Sequence, residues 1–583
     1  MLLSINKSFS MRIKNRLTFF KRFIDRNLQN KSIDGRINKT VTIAYFSLSF
    51  FVLLVAAIYV GWHANRVYST VQDATVYPFL FKNPHLHDIV LPSSHANILK
   101  FPLFILQSLI PYNMTTLTII DCGLLLLTVF GWCLLLAYVF GKKYLPILFI
   151  LMAAILVGST TLDLNLIETT IRNIEYPIGL AFIILCSKLL TKTFVSNKRQ
   201  IIVGASIALL FTLALAGDSF MLPAFILPIA ALLVIEWLKN KQLSMRIVSM
   251  LLSVLIISTV IHHLVATFGI ANYYGGSVLQ TKIVPIDSFA PSVAHSVSQI
   301  IDLFGAIIFN KTVDISNALY FVNFAILILA LVGIFLIILR GIRDYKPKDN
   351  DTGLSANCFV LTVLAFSFFT TLGAYIFSGL VVTKMPDGRF VDAYNIRYLT
   401  LIPFLLIAGV VFIISNYNSF KRPLAPILSA LLILSILLST TAIKDSWHSS
   451  DFYAAATISK IQSLVSVVES NNIHEILTGD SLAAPIRFWS SDKIQFASLI
   501  GCNQYMYQNI RVSWRVPSPS QIDSALVIDR LGSDGAFFGK CSDKQLETIF
   551  GKPYKIVIPK GFENNPTSVE VWIYHYDLRQ KLS

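Results

Sequence analysis

Long apolar runs alternate with short polar stretches from Val41 to Ile443. A hydrocarbon core is crossed by about 20 apolar residues rising about 1.5 Å each, and most of the runs have that length. The runs cover 41–62, 115–140, 144–159, 176–194, 200–217, 220–237, 247–268, 316–339, 357–379, 398–415 and 424–443. They predict a polytopic α-helical membrane protein with about 11 transmembrane helices. Three segments follow: a basic head (1–40), a multi-span body (41–443) and a tail (444–583).

The tail has a different rhythm. A helical pattern from Phe452 to Val468 is followed by strand-like pieces at Ile473–Leu477, Ile494–Leu499, Ala525–Ile528, Tyr554–Ile558 and Val569–Tyr574, with a helix near Lys544–Phe550. This predicts a C-terminal extracytoplasmic α/β domain, large enough at about 130 residues for one core.

Composition supports the membrane assignment. Hydrophobic residues make up 55% of the chain, charged residues only 14%, and the mean hydropathy is +0.65. A soluble globule this apolar would lack the polar surface to stay dissolved. The net charge of +16 is concentrated where it orients a membrane protein: ten Lys or Arg residues precede the first run, and smaller clusters fall in alternate loops. That placement favours anionic lipid over nucleic acid as the partner of the head. It predicts a plasma-membrane protein with a cytoplasmic N-terminus and, with an odd span count, the tail outside. The head is too long, and the first run too full, for a cleaved signal peptide.

The long loops carry the candidate chemistry. The first outer loop, 63–114, holds Asp73, Tyr77-Pro78, His85-Leu-His87-Asp88 and His95-Ala-Asn97, then an apolar stretch at 98–110 too short to span, which reads as an interfacial helix. His85, His87, Asp88 and His95 are metal-ligand types, but their spacing matches no established metal motif. A second loop groups Asp163, Glu168, Arg172, Asn173 and Glu175 at a membrane boundary, where charges need pairing or water. Arg397 opens a late span, placed to hold a phosphate or simply to reach the headgroups. Loop 269–315 offers Tyr273, Tyr274, Lys282 and His295. Four cysteines lie in apolar runs as small hydrophobes, whereas Cys502 and Cys541 form a candidate disulfide if the tail is exported.

This arrangement resembles the GT-C superfamily of integral membrane glycosyltransferases, typified by polyprenyl-phosphate-sugar-dependent mannosyl- and arabinosyltransferases. The resemblance rests on the acidic first outer loop with its following helix, the Arg172-Asn-Ile-Glu175-Tyr-Pro177 turn, the Arg397-Tyr398-Leu opening and the exported tail. It implies transfer of a sugar from a polyprenyl-phosphate donor to an acceptor on the outer face. The adjacent acidic pair common in those enzymes is absent, so Asp88 and Asp73 compete as the catalytic base, with Asp88, flanked by histidines and a proline motif, preferred. His87, His95, Arg172, Glu175 and Arg397 would bind substrate, the arginines stabilising the departing phosphate. The cofactor is unknown, and a divalent metal ion is compatible with that chemistry. A lipid or glycan transporter or flippase, and a non-catalytic envelope protein, are the competing readings.

Overall fold

The computed structural model describes residues 33–582 except 71, 83–86, 93–96, 112, 167–171, 191–197, 241–243, 270, 275–282, 310, 344–355, 380, 385–388, 393–394, 417–423, 507–509, 518–522, 531–540 and 563–568. Seven helices among the described residues are long and apolar enough to cross a membrane, or nine if each of two bent pairs counts as one span. The long ones are α1 (Ile33–Tyr68), α4 (Met114–Phe140), α8 (Lys198–Gly217), α10 (Met245–Phe268), α12 (Ala318–Arg343) and α13 (Ala356–Phe377), with α14 (Ile402–Asn416) extended by the turn before it.

The eleven-span reading counts apolar runs, and several runs do not make full-length helices. Run 144–159 becomes α5 (Leu145–Gly158), only 14 residues long and buried along its whole length, so it is a central strut wrapped by other helices. It breaks after Gly158 and turns by 102° into α6 (Thr160–Leu166). Run 176–194 gives α7 (Glu175–Leu190), 16 residues. Run 220–237 starts with a π-turn at Leu222–Ile226 before α9 (Leu227–Asn240). Run 424–443 gives α15 (Leu424–Leu438), bent by 57° into the 31-residue α16 (Thr440–Ser470), which continues out of the bundle into the tail.

Each break is supported by side chains that satisfy the backbone it frees, as an apolar surround demands. The Asn323 amide donates to the carbonyls of Ala154 and Gly305, both at 3.2 Å, pinning the end of α5. Thr370 and Ser367 donate to the carbonyls of Pro223 and Ala224 at the π-turn. Gly305 adopts φ +63°, and a Cβ there would meet the Gly158 backbone at 2.7 Å. Where α12 crosses α14, a Cβ on Gly333 would run into the carbonyl of Gly409, so these helices approach through their glycines.

The tail folds around a six-stranded mixed sheet. Its strands are β5 (Glu475–Gly479), β6 (Gln495–Ile500), β7 (Gln504–Tyr505), β9 (Ser524–Asp529), β10 (Lys555–Val557) and β11 (Val569–Tyr574), in the order β10-β11-β9-β5-β6-β7. β5 runs parallel to both β6 and β9, and the remaining pairs are antiparallel. Helices α17 (Asp480–Trp489) and α18 (Asp543–Phe550) accompany it. A Ser542–Gln545 capping box starts α18, and Cys502 and Cys541 are joined by a disulfide.

The tail does not hang free of the body. Strand β1 (Ile89–Pro92), in the loop after α1, pairs with β2 (Ala271–Tyr274), after α10, and with β8 (Ile510–Arg511) of the tail. Helix α2 (Gln72–Leu80) packs against α17, and the Trp489 indole donates to the Ser69 carbonyl at 3.1 Å. One end of the bundle, here called the domain end, is thereby fused to the tail.

Candidate functional site

Among the described polar residues of the first loop, Asp88 and Lys82 make that junction. Asp88 is 7% exposed, and both its oxygens are engaged: Arg511 Nε donates at 2.6 Å, the Ser513 amide at 2.7 Å and the Ser513 hydroxyl at 2.9 Å. The Asp88 carbonyl accepts from the Val512 amide at 2.7 Å. Neighbouring His87 is exposed, with φ +61°. Asp73 sits at the start of α2, and its side chain lies outside the described residues, as do His85, His95, Glu168 and Lys282 altogether. Tyr273 and Tyr274 form part of β2, their side chains likewise undescribed. His295 lies half-buried on α11 (Ile286–Leu303).

The second loop and the late span, by contrast, do converge. Arg172 is 4% exposed and forms a two-pronged pair with Asp218, Nε to Oδ2 at 2.5 Å and Nη2 to Oδ1 at 2.9 Å. Its guanidinium is covered by the rings of Phe220 and Tyr398, 4.5 and 4.6 Å away. Glu175, 3% exposed, takes Lys100 Nζ at 3.3 Å and the Asn173 amide at 2.9 Å. Lys100 belongs to the short helix that follows β1, so the first loop reaches this layer through a residue the sequence reading passed over. Tyr176 and Thr400 share a buried hydrogen bond of 2.5 Å. Arg397, half-buried in the turn Ile396–Leu399, has no carboxylate partner among the described residues.

Two buried ion pairs cost more than they return unless they organise something, because desolvation offsets most of the Coulomb gain. What they organise is the loop from α6 to α7. Asn173 donates to the Leu166 carbonyl at 3.5 Å, one helical turn from Asp163. Asp163 is fully buried, and neither carboxylate oxygen has a hydrogen-bond partner among the described residues. Helix α6 packs against the turn bearing Arg397 and against α11. Among the described residues, the layer at the domain end thus contains paired charges, the Arg397 guanidinium without a carboxylate partner and the unpartnered Asp163 carboxylate. Among the described residues no group of three or more His, Cys, Asp or Glu side chains is arranged to hold a metal ion.

A cleft of about 590 Å³ opens between α1, α15 and the start of α16, and none of the charged residues of this layer lines it. Its walls include Val52, Val55, Ile433 and Leu437, and His63, Lys444 and His448 rim it. His63 Nδ1 lies 2.6 Å from Asp451 Oδ2, tying α1 to α16. Periodicity could not reveal this cleft, since its residues come from opposite ends of the apolar region. No protein-family model and no curated protein matches the chain.

Proposed function

We propose that this chain is a membrane glycosyltransferase of the GT-C type, moving a sugar from a polyprenyl-phosphate donor to an acceptor hydroxyl at the domain end. The observation that carries the proposal is Asp163: a carboxylate buried without partners is poor structural material and is kept where a substrate will use it. A base needs an oxygen within hydrogen-bond reach of the proton it takes. Asp88 spends its oxygens on Arg511 and Ser513, so on this reading the base is Asp163, with Asp73 the remaining carboxylate of the first loop. Arg397 supplies a guanidinium for the departing phosphate, a charge that grows as the glycosyl bond breaks. Arg172, neutralised by Asp218, positions Tyr398 and the loop.

The cleft between α1 and α15 suits an isoprenoid chain, with cationic and imidazole groups at phosphate depth. The reading also puts the basic head in the cytoplasm and the tail outside the plasma membrane, with eleven crossings if the short helices α7 and α9 and the bent pairs all complete spans. The Cys502–Cys541 disulfide supports an oxidising compartment for the tail.

The test uses the full chain in nanodiscs with polyprenyl-phosphate-linked mannose, arabinose or glucose and measures release of polyprenyl phosphate. Asp163→Asn and Arg397→Ala are expected to stop release at unchanged membrane abundance, and full turnover in both would reject the assignment. The 102° break beside a buried carboxylate also suits a transporter. Movement of the lipid across vesicles with no covalent product would select that reading instead.

A further inference from the structure

The end of the bundle opposite the domain end is basic. Lys142, Lys143, Arg340 and Arg343 stand there, and Glu236 is the only carboxylate at that end among the described side chains. Cations at helix ends are expected of any chain that crosses a bilayer. What is particular to this chain is that two of them, from different helices, line one cavity. That cavity has a volume of about 580 Å³ and opens where four helices end. Val139 and Phe140 close α4, Arg340 lies in the last turn of α12, Asn357 lies in the first turn of α13, and Asn416 closes α14. Four helix ends at one level put the cavity where the hydrocarbon of a bilayer gives way to headgroups.

Helix C-termini attract cations on their own account, so the ends of α4 and α14 could be what Lys143 and Arg340 serve. Neutral side chains already do that work. The Asn357 amide donates to the Val139 carbonyl at 2.9 Å, and the Asn416 amide and Ser415 hydroxyl donate to the Phe412 carbonyl at 2.8 and 2.9 Å. Arg340 Nη1 donates to Asn416 Oδ1, and its guanidinium lies 5.8 Å from the centre of the Phe412 ring. These contacts hold the guanidinium in place without neutralising it. Lys143 Nζ stands 5.0 Å from the centre of the Tyr144 ring and has no carboxylate partner among the described residues. No Asp or Glu lines the cavity among the described residues.

The remaining wall is apolar, made by Val139, Ile337, Leu361 and Phe412. Two cations beside such a wall suit an anion with an apolar continuation, and a guanidinium next to an ammonium suits a phosphate in particular. We infer that this cavity binds the phosphate of an anionic bilayer phospholipid between Arg340 and Lys143, with the glycerol and the first chain carbons against the apolar wall. Leu339 and Ile342, flanking Arg340 on α12, are 47 and 48% exposed, so the way out from the cavity is lined for acyl chains. A soluble phosphate ester would leave the apolar wall unused. The site lies at the opposite end of the bundle from Asp163 and Arg397 and stands independently of the glycosyltransferase reading.

The experiment titrates dioctanoyl-phosphatidylglycerol, dioctanoyl-phosphatidylcholine or glycerol 3-phosphate into the full chain in an uncharged maltoside detergent at about 0.15 M salt, where exposed charges far from the ligand are screened. The wild type is expected to bind phosphatidylglycerol at one saturable site, about tenfold or more tighter than phosphatidylcholine. Lys143→Gln and Arg340→Gln are each expected to weaken it about fivefold, as loss of one cation beside a lipid headgroup does. Arg340→Lys keeps the charge and is expected to stay within about twofold of the wild type. Lys198→Gln/Arg199→Gln removes two cations from the same end of the bundle, at the start of α8 and outside the cavity, and is expected to bind as the wild type does. Lys143 is exposed and touches only a ring, so Lys143→Gln keeps the test informative even if Arg340→Gln folds poorly. Equal binding of the two lipids overturns the inference, as does undiminished binding by Lys143→Gln. Equal weakening in the Lys198/Arg199 variant overturns it too, since the cause would then be overall charge rather than the cavity. Glycerol 3-phosphate binding as tightly as the lipid would replace the lipid with a soluble phosphate ester.

Discussion

Arg511 reaches back across 423 positions of sequence to donate its Nε to Asp88 at 2.6 Å, and the two strands that carry them pair. This contact ties the first loop of the membrane body to the tail. Asp88→Ala removes one partner of a nearly buried pair and strands the other, which costs about 3–5 kcal/mol. The expected outcome is loosening of the junction, read as faster hydrogen exchange in 510–516 and at 89–91, with the sheet core β5–β6–β9 protected as before. Unchanged exchange at β1 and β8 would show that Asp88 does not hold them.

Asp163 predicts the opposite sign. Its burial without partners is a standing cost, so Asp163→Asn is expected to stabilise the fold by roughly 1–3 kcal/mol, read as a higher thermal midpoint in nanodiscs, while abolishing turnover. A fall in stability would mean that the carboxylate is matched by a group inside the fold.

Stability of the tail carries a pH signature. Arg579 binds Glu475 with Nη1 and Nη2, both at 2.5 Å, and also binds Asp577, so one guanidinium serves two carboxylates. Burial first, and then the Asp577 charge, outweigh Arg579 and push Glu475 up to about 7 from an ordinary 4.5. The folded state therefore holds this proton more tightly than the unfolded chain does. Its contribution is fully present below about 4.5, declines as pH rises to about 7 and is gone above that. Calorimetry of the full chain between pH 5 and 8 is expected to show the tail transition falling with pH, and Glu475→Gln is expected to flatten it.

Some of this could be read from residue order, and some could not. The tail's strands at 475–479, 495–500, 524–529, 555–557 and 569–574 sit nearly where the short apolar runs put them, because each is a local pattern with a local cause. Span counting goes beyond the seven to nine candidate spans of the described residues for a physical reason. A run such as 144–159 is apolar because protein surrounds it on all sides, and apolarity does not distinguish a protein interior from lipid. Asp163 drew no attention as a base, since its lack of partners depends on the 102° turn at Gly158. Ser288, Ser292 and Ser296 of α11 read as an ordinary polar face until packing shows that they point inward. Asp88 and Arg511, far apart in the chain, have no shared sequence signal at all.

The disulfide gives the last prediction. Cys502 and Cys541 close a loop of 39 residues that runs from the end of β6 to the start of α18. Restricting the unfolded chain over such a loop stabilises by about 4 kcal/mol in the chain-entropy account. Cys502→Ser/Cys541→Ser is therefore expected to lower the tail's unfolding midpoint markedly and to leave the melting of the membrane bundle, followed by Trp132 deep within it, nearly unchanged. Both transitions falling together would mean that tail and bundle unfold as one unit, coupled through the Asp88–Arg511 junction. In that event adding Asp88→Ala to the double serine variant should separate them again.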